Sequence, residues 1–215
     1  MNENKNRPYI IGITGTIGSG KSTIGSILEA MGVPVVDTDR IVHDLFESDE
    51  SLVRAIKVRF GQNVLKLQNG KERIDRGALG TIVFSDEKAR RDLESLVHPL
   101  TIEACEQRIK ALSEHKLIAV LVPLLFEAGL EKYYDEIWTV HVSDSVLKER
   151  LKLRDQLTDE EADKRLAAQL SQAEKMARSH CLIDNSGSRQ DTEEQVKRLV
   201  HRINEAAEKS SDAVQ

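Results

Sequence analysis

The chain has 215 residues, which suits one compact domain or a core that carries smaller lobes. Its 31 Lys and Arg residues face 36 Asp and Glu residues, and the net charge of −5 excludes the overall basic excess typical of proteins that bind nucleic acid or anionic membranes. The longest apolar run, residues 117–126, is about half the length of a membrane span, and the first residues lack an apolar signal-peptide region. We therefore expect a cytoplasmic protein with no nucleic-acid and no membrane partner.

A glycine-rich motif follows the first predicted strand. Residues 9–14 form a short apolar run typical of a buried parallel strand, and residues 22–31 place apolar side chains at helical spacing. Between them, residues 15–22 have the sequence GTIGSGKS, which matches the phosphate-loop pattern G-x-x-x-x-G-K-[ST] at every fixed position. Such a loop surrounds the phosphates of ATP with backbone amides, while its lysine reaches the terminal phosphates and its serine hydroxyl holds Mg²⁺. The nucleotide-binding residues predicted here are Gly15, Gly18, Ser19, Gly20, Lys21, Ser22 and Thr23, with Lys21 also assigned to catalysis and Ser22 to the metal site.

A pair of acids follows the second predicted strand. Gly32 is expected to end the first helix, and residues 33–36 then form a buried strand that leads into Asp37 and Asp39. Because ligands of open α/β sheets bind at the carboxyl ends of strands, both carboxylates are expected beside the phosphate loop, where we assign them to the metal site. In addition, Asp39 accepts the proton of an attacking hydroxyl, a catalytic role, or caps a helix over residues 40–46, and one residue can do both.

The next part of the chain is mostly helical. The pattern predicts helices over residues 52–60, 76–84, 86–97 and 102–112. Asp75 and Ser85 are the expected N-caps, and His98-Pro99 is expected to separate the last two helices. A tight turn at Asn69-Gly70 is expected to join two short extended segments. Because so long an insertion exceeds what a crossover requires, we expect residues 47–114 to cover an acceptor substrate.

The third predicted core strand, residues 116–122, is continuously apolar after Lys116, and no aspartate follows it directly. Many phosphate-loop ATPases and GTPases place an acid there, so its absence favours a small-molecule kinase. A GTP switch would also carry N-K-x-D, which the sequence lacks. Glu127 either orients a substrate or only begins a loop. A fourth strand over residues 135–142 is expected to place Trp138 in the core.

Two charged helices come next and predict a helical hairpin. Arg150 and Arg154 lie four residues apart, on one face of a helix over residues 145–154. Two guanidinium groups on one face bind anionic oxygens bidentately, so we assign both arginines to catalysis in a lid that closes over ATP. A merely solvated face is the alternative. A capping box at residues 158–161 starts the second helix.

The end of the chain predicts one more strand and one more helix. Residues 180–184 form the strand, and Asn185 follows it in a loop that either contacts adenine or is a simple turn. We assign Asn185 to nucleotide binding. Thr192 is expected to cap a last helix over residues 193–209, which buries a stripe that includes Val196 and Val200.

Taken in this order, the motifs resemble those of the dephospho-CoA kinase family. The segments that carry the resemblance are residues 11–23, Asp37-Thr38-Asp39, Ile74-Asp75-Arg76 with Leu79, Leu93-Glu94 with His98-Pro99, residues 122–127, the set Arg150, Arg154, Arg165 and Gln169, and Asn185-Ser186-Gly187. In the family the second acid of the D-A-D segment is the proposed base, which corresponds to Asp39. The chain departs from the family pattern at Thr16, where glycine is usual, at His43, where arginine is common, and at Ser179-His180, where Ala-Asp is usual.

The resemblance implies an α/β P-loop kinase fold with a five-stranded parallel sheet flanked by helices, a helical acceptor-binding insertion and a helical lid. The nucleotide-binding core is expected at residues 8–46, 115–145 and 178–209, the insertion at 47–114 and the lid at 146–177. The implied reaction transfers the ATP γ-phosphate to the ribose 3′-hydroxyl of dephospho-CoA, with Mg²⁺ as cofactor, in a monomer or small homo-oligomer. Its implied acceptor contacts are Asp39, Arg76, Leu79 and His98. The residues alone leave a shikimate- or nucleoside-type kinase as the alternative.

Overall fold

The computed structural model describes residues 7–68 and 70–212. The strands are β1 (Tyr9–Thr14), β2 (Val35–Asp37), β3 (Leu65–Gln68), β4 (Lys71–Ile74), β5 (Leu117–Leu121), β6 (Glu136–His141) and β7 (Cys181–Asp184). The helices are α1 (Lys21–Ala30), α2 (Thr38–Ser48), α3 (Glu50–Phe60), α4 (Arg76–Ser85), α5 (Glu87–Ala111), α6 (Asp144–Asp155), α7 (Asp159–Ala167), α8 (Gln172–Ala177) and α9 (Arg189–Asp212). The chain divides into two compact units, Met1–Val36 with Leu112–Gln215, called the core unit below, and Asp37–Ala111, called the insertion unit.

The core unit is built on a five-stranded parallel sheet with the strand order β2, β5, β1, β6, β7. β1 pairs with β5 on one side and with β6 on the other, so that Ile11 lies opposite both Ala119 and Glu136. The chain passes from one side of β1 to the other between β5 and β6. The carboxyl end of β1 is therefore the topological switch point, where open α/β sheets leave a ligand crevice. The predicted fold class is confirmed.

Apolar packing on both sides of the central strands holds the core unit together. Every residue of β5 is buried, as expected of a strand covered on both faces. The predicted stripe of α9 packs with α1 in one cluster that contains Ile24, Leu28, Val196 and Val200. At about 25 cal/mol per Å² of apolar surface removed from water, such burial is the main force that stabilises the sheet and its helices.

Gly32 ends α1 as predicted. Its φ of 79° lies in the left-handed region, which glycine adopts without a Cβ clash. The Gly32 amide donates to the Glu29 carbonyl and the Val33 amide donates to the Leu28 carbonyl, both at 3.0 Å. This pair of bonds is a Schellman motif, and it satisfies the last carbonyls of the helix.

Trp138 lies in the core, as predicted, and it explains why a carboxylate is buried beside it. The indole Nε1 donates to Glu136 Oε1 at 2.6 Å, and Arg202 and Cys181 also donate to that carboxylate. Burial alone would raise the pKa of Glu136, but the hydrogen bonds from Cys181, Trp138 and Arg202 outweigh it, so the pKa lies below its ordinary value. The carboxylate is therefore charged and fully partnered.

The insertion unit has its own apolar core, which includes Ile56, Val64, Ile74 and Leu79. The unit contains helices α2 to α5 and the antiparallel pair β3 and β4, in which Leu65 lies opposite Ile74. Asn69, part of the predicted turn between these strands, lies outside the described residues. The hairpin and the predominance of helix in this unit agree with the sequence prediction.

The predicted helix break at His98-Pro99 is wrong, because α5 continues through Pro99. A proline inside a helix removes one hydrogen bond and costs about 3 kcal/mol. Ala89, Val97 and Cys105 are all buried along this one helix. Their burial on both sides of the proline offsets that cost, which local sequence rules do not include.

Two of the predicted helix caps are also wrong. Ser85 is the last residue of α4, and the cap of α5 is its neighbour Asp86, whose Oδ1 accepts from the Lys88 and Ala89 amides at 2.8 and 3.1 Å. At α9 the cap is Ser188 instead of Thr192, with Ser188 Oγ accepting from the Asp191 amide at 3.2 Å. Thr192 is buried inside the helix. The helix therefore begins at Arg189, earlier than predicted.

The predicted helical hairpin is present as α6 and α7. Its capping box is confirmed, since Thr158 Oγ1 accepts from the Glu161 amide and Glu161 Oε2 accepts from the Thr158 amide. The structure also contains α8, a six-residue helix between α7 and β7 that the sequence did not predict. Throughout residues 7–68 and 70–212, every helix is too short or too polar to cross a membrane.

Candidate active site

Two glycines of the phosphate loop occupy positions that no other residue fits. At Gly15 a Cβ would lie 2.3 Å from the carbonyl oxygen of Val140 in β6. At Gly20, with a φ of 96°, a Cβ would lie 2.0 Å from Nδ2 of Asn185. Contacts below 3 Å are excluded for a real Cβ, so these glycines permit the loop to lie directly against the strand and the Asn185 loop.

The loop leads into an open helix N-terminus. Gly20 is the N-cap of α1, and no side chain makes a capping hydrogen bond there. The first backbone amides of a helix lack partners inside the helix, and its dipole adds about half a positive charge at this end. The loop and the start of α1 therefore form an anion site of the phosphate-binding type.

Lys21 lies over its own loop. Its Nζ donates to the carbonyl of Gly15 at 2.8 Å and to the carbonyl of Thr16 at 3.2 Å. The side chains of Thr16 and Ser19 are buried beneath the loop, and their hydroxyls have no hydrogen-bond partner among the described residues. Because the Ser19 side chain points inward, its predicted nucleotide contact would be made by its backbone.

A cavity of about 750 Å³ lies beside the loop. It is lined by Gly18, Gly20, Lys21, Ser22, Thr23, Arg150, Leu153, Arg154, Asn185, Gly187 and Arg189. Eight of the predicted site residues are thus brought together, and the volume falls in the range of small-molecule sites. Gly15 and Ser19 lie in the loop but do not line the cavity.

The sequence analysis did not assign Leu153 or Arg189 to this site. Leu153 is 76% exposed at the rim, although a leucine in a helix ordinarily indicates the buried face. Arg189 is in the first turn of α9, a turn that was not predicted because the cap was placed at Thr192. Ser188 and Asp191 have the spacing of a capping box, in which the side chain of each residue accepts from the amide of the other. That spacing could have predicted a helix start at Arg189.

Arg150 and Arg154 both line the cavity, but they are held differently. Arg150 Nη2 donates to the backbone carbonyl of Asn185 at 3.0 Å. Arg154 makes two parallel bonds to Asp155, at 2.8 and 2.9 Å. Arg165 reaches the same carboxylate at 2.5 Å. A planar, always charged guanidinium in either place suits recognition of phosphate oxygens.

The other two basic side chains of α6 have a structural use. Lys148 pairs with Asp163 at 2.9 Å, and Lys152 pairs with Asp159 at 3.0 Å. Both acids lie on α7, so these pairs link the two helices of the hairpin. The basic stretch is therefore divided between a face toward α7 and a face toward the cavity, which its spacing alone did not show.

Asn185 supports the phosphate loop through its side chain. Its Nδ2 donates to the backbone carbonyl of Ser19 at 2.8 Å, and its Oδ1 accepts from Thr192 Oγ1 at 3.1 Å. The residue is 6% exposed. These contacts connect the loop to α9, so the Asn185 side chain is engaged within the protein.

Asp37 and Asp39 have separate positions at the start of the insertion unit, with Asp37 as the last residue of β2. Asp37 is the N-cap of α2, and its Oδ1 accepts from the Asp39 amide at 2.9 Å. The interpretation of Asp39 as the cap is therefore wrong, because the helix begins two residues earlier than predicted. Asp39 is exposed in the first turn of α2, where the helix dipole favours a carboxylate.

The predicted acceptor contacts in the insertion unit differ in exposure. Arg76 is exposed at the start of α4, and its Nη1 lies 3.3 Å from Nδ1 of His43. The departure at position 43 thus places an imidazole beside this guanidinium. His98 is half-buried in the middle of α5. Leu79 is 2% exposed and packs in the core of the unit, so its side chain supports the fold.

Glu127 does more than begin a loop, because it forms an ion pair with a buried lysine. Its carboxylate pairs with Lys175 at 2.8 Å, and Lys175 is completely buried. The departure at Ser179-His180 is local: His180 Nδ1 accepts from the Ile137 amide at 3.0 Å, and Ser179 Oγ donates to the Lys175 carbonyl at 2.8 Å. Both residues thus satisfy backbone groups near the start of β7.

A parallel sheet with a glycine loop at its switch point, an open helix N-terminus beyond the loop and arginines over the cavity define a nucleotide-dependent phosphotransferase of the P-loop kinase class. A family model described as dephospho-CoA kinase matches residues 9–191. The chain belongs to the dephospho-CoA kinase family, and it is therefore an ATP-dependent kinase. The resemblance found from the motifs is confirmed.

Individual relatives agree with the family match. The chain is 39% identical to a dephospho-CoA kinase of Synechococcus sp. over 190 residues, which cover 88% of this chain and 94% of that one. It is 39% identical to the dephospho-CoA kinase of Geobacillus kaustophilus over 86% of this chain and 92% of that one. Among solved structures, TT1252 from Thermus thermophilus is similar with a TM-score of 0.78 and 35% identity, covering 91% of this chain and 98% of that one. The dephospho-CoA kinase from Campylobacter jejuni follows with a TM-score of 0.67 and 28% identity, covering 92% and 98%.

We predict that Asn185→Ala weakens the binding of ATP and GTP by the same factor, roughly tenfold. The reason is that the side chain holds the phosphate loop, and loss of a buried hydrogen bond costs about 1–3 kcal/mol. Calorimetric titration of each nucleotide measures the effect, with Gln190→Ala on the exposed surface of α9 as the control. A loss confined to ATP would mean instead that the Asn185 side chain contacts adenine.

Proposed function

We propose that the protein transfers the γ-phosphoryl group of ATP to the ribose 3′-hydroxyl of dephospho-CoA, giving CoA and ADP. The observation that carries this proposal is the family match over residues 9–191, which includes an intact phosphate loop. The relatives favour dephospho-CoA over the acceptors of shikimate- or nucleoside-type kinases. The proposal also includes a cytoplasmic location and a monomer or small homo-oligomer.

The phosphate loop binds the triphosphate through its backbone amides and the start of α1. Lys21 exchanges its two loop carbonyls for the oxygens of the terminal phosphates, because a charged phosphate is a stronger acceptor than a neutral carbonyl. Its charge then opposes the negative charge that develops during transfer. The fold needs little change for this step, since only the end of one side chain moves.

Arg150 and Arg154 complete the charge balance from the α6 side of the cavity. Both guanidinium groups already line the cavity, so modest motion of the predicted lid, residues 146–177, brings them to the phosphate oxygens. Arg150 keeps its planar group near the nucleotide turn through the Asn185 carbonyl. Arg154 exchanges part of its pairing with Asp155 for the more highly charged phosphates.

The proposed metal is Mg²⁺, held by the Ser22 hydroxyl together with Asp37 and Asp39. The donors fit this ion, because Mg²⁺ takes oxygen ligands and is usually bound by one or two carboxylates plus substrate phosphates. Ser22 is exposed at the open start of α1, as a ligand to a nucleotide-bound ion must be. When bound, Mg²⁺ neutralises phosphate charge.

The acceptor is proposed to lie against the insertion, residues 47–114, with Arg76 and His98 as contacts. The nucleotide-binding core is proposed to consist of residues 8–46, 115–145 and 178–209. Support comes from the independent core of the insertion unit, which makes it a rigid platform, and from the exposure of Arg76. Asp39 receives the proton of the 3′-hydroxyl as it attacks the γ-phosphorus. Leu79 serves this site by packing beneath it.

The proposed acceptor is tested by ADP release with dephospho-CoA, shikimate and a nucleoside as separate acceptors. We expect turnover with dephospho-CoA alone, and a product heavier than the acceptor by one phosphoryl group. Each enzyme-acceptor pair is measured with and without Mg²⁺. Comparable phosphorylation of shikimate or of the nucleoside would contradict the acceptor assignment and leave the phosphotransferase class intact.

Asp39→Asn is predicted to lower turnover about 10²–10⁴-fold, the usual contribution of a positioned base, with folding and ATP affinity unchanged. Asparagine keeps the shape of the side chain but cannot accept the proton. Steady-state kinetics and calorimetric titration of Mg·ATP on the same variant measure both effects. If Mg·ATP affinity falls together with turnover, Asp39 is mainly a metal ligand, and unchanged turnover would remove it from the mechanism.

A further inference from the structure

Gln169 and Leu170, which follow the Ala168 C-cap of α7, are bonded to two different loops of the core unit. Gln169 Oε1 accepts from the backbone amide of Ile17, the third residue of the phosphate loop, at 3.0 Å. The next residue, Leu170, donates its backbone amide to Oε1 of Glu127 at 2.9 Å. This short segment therefore connects the phosphate loop to the turn that follows β5.

Lys175 fixes the orientation of Glu127. Its Nζ lies 2.8 Å from Oε1 and 2.9 Å from Oε2 of that carboxylate, and it also donates to the Pro123 carbonyl at 2.9 Å. Lys175 is 0% exposed and the Glu127 side chain is 20% exposed. Burial lowers the pKa of Lys175, and the Glu127 carboxylate opposes that change. A buried ammonium needs such partners, so the pair has one geometry.

Stability alone does not account for this pair. Taking two charges out of water costs about as much as their attraction returns, and apolar replacements are often neutral or stabilising. Each member of the pair, however, also bonds to a backbone group: Glu127 accepts from the Leu170 amide, and Lys175 donates to the Pro123 carbonyl. The Pro123 carbonyl also accepts from Thr14 Oγ1 at 3.2 Å, immediately before the phosphate loop. Its contacts therefore fix the path of the chain around the loop.

One peptide group of the phosphate loop, between Thr16 and Ile17, is bonded to both Gln169 and Lys21. The amide of Ile17 is held by Gln169, and the carbonyl of the same peptide group, that of Thr16, accepts from Lys21 Nζ at 3.2 Å and from the Ser19 amide at 3.1 Å. A peptide group is planar, so fixing its N–H fixes its carbonyl. The position of Gln169 thus sets where Lys21 rests.

We propose that Gln169, Glu127 and Lys175 are positioning residues for phosphoryl transfer, with the ion pair holding Gln169 on the phosphate loop and Gln169 fixing the loop peptide over which Lys21 lies before it moves to the phosphates. This inference rests on the proposed function. It predicts that loosening the contact affects transfer more than binding, since misplacement of a reacting group by about 1 Å can cost 10²-fold in rate.

The first test is Gln169→Ala, which removes the acceptor for the Ile17 amide without leaving a buried charge. We expect kcat to fall about 10- to 100-fold, while the Kd for ATP and the melting temperature stay near those of the parent protein. A lower melting temperature with unchanged kcat would show that the contact is only structural, and it would overturn the proposal.

The second test is the double variant Glu127→Ala with Lys175→Met, which removes both charges and so avoids an unpaired buried ion. It should lose kcat to the same extent as Gln169→Ala. Adding Gln169→Ala to it should cause little further loss, because the three residues act through one contact. Wild-type kcat in the double variant, or losses that multiply in the triple variant, would contradict the proposed connection.

The control is Glu205→Gln, which removes the contact between Glu205 and His201 on α9. Glu205 is exposed and has no bond to Gln169, Glu127 or Lys175, so kcat should not change. All variants are compared with dephospho-CoA as acceptor. If the parent protein itself gives no CoA, the proposed function fails; an active parent with unaffected variants overturns only the positioning inference.

Discussion

Gly15 and Gly20 allow the phosphate loop to approach β6 and Asn185 more closely than any Cβ would permit, and the rest of the site depends on that approach. With the loop in this position, the start of α1 remains uncapped and forms an anion site. Asn185 then supports the loop from one side, Gln169 bonds to it from another, and Lys21 lies across it. The surrounding helices therefore serve mainly to hold a short piece of backbone in one conformation.

The sequence predicted the parts of the protein that local physics decides. β1 has the predicted bounds, Gly32 ends α1, and the glycine loop between β1 and α1 leads into an uncapped helix start. The errors arose where tertiary packing overrides local preference. Pro99 lies within a helix because residues on both sides of it are buried, and the caps shifted because Asp86 and Ser188 compete with nearby residues of similar propensity.

The long-range polar contacts could not be predicted in the same way. Glu127 and Lys175 are separated by 48 residues, and nothing in the spacing of either indicates a buried pair. Asn185 looked like a nucleotide contact because it follows a strand, yet its side chain is used 166 residues away on Ser19. Sequence patterns show which residues lie at the carboxyl ends of the strands, where the site is. Side-chain packing decides which of these residues face the cavity and which support the phosphate loop.

We propose that the phosphate loop needs the Lys21 charge for transfer and does not need it for folding. This is tested by combining thermal melting of Lys21→Ala with its rate of ADP release in the presence of dephospho-CoA. We expect a melting temperature near that of the parent protein and a rate lower by about 10²–10³-fold, the usual effect of removing one donor to developing charge. A rate close to that of the parent protein, or a variant that does not fold, would contradict it.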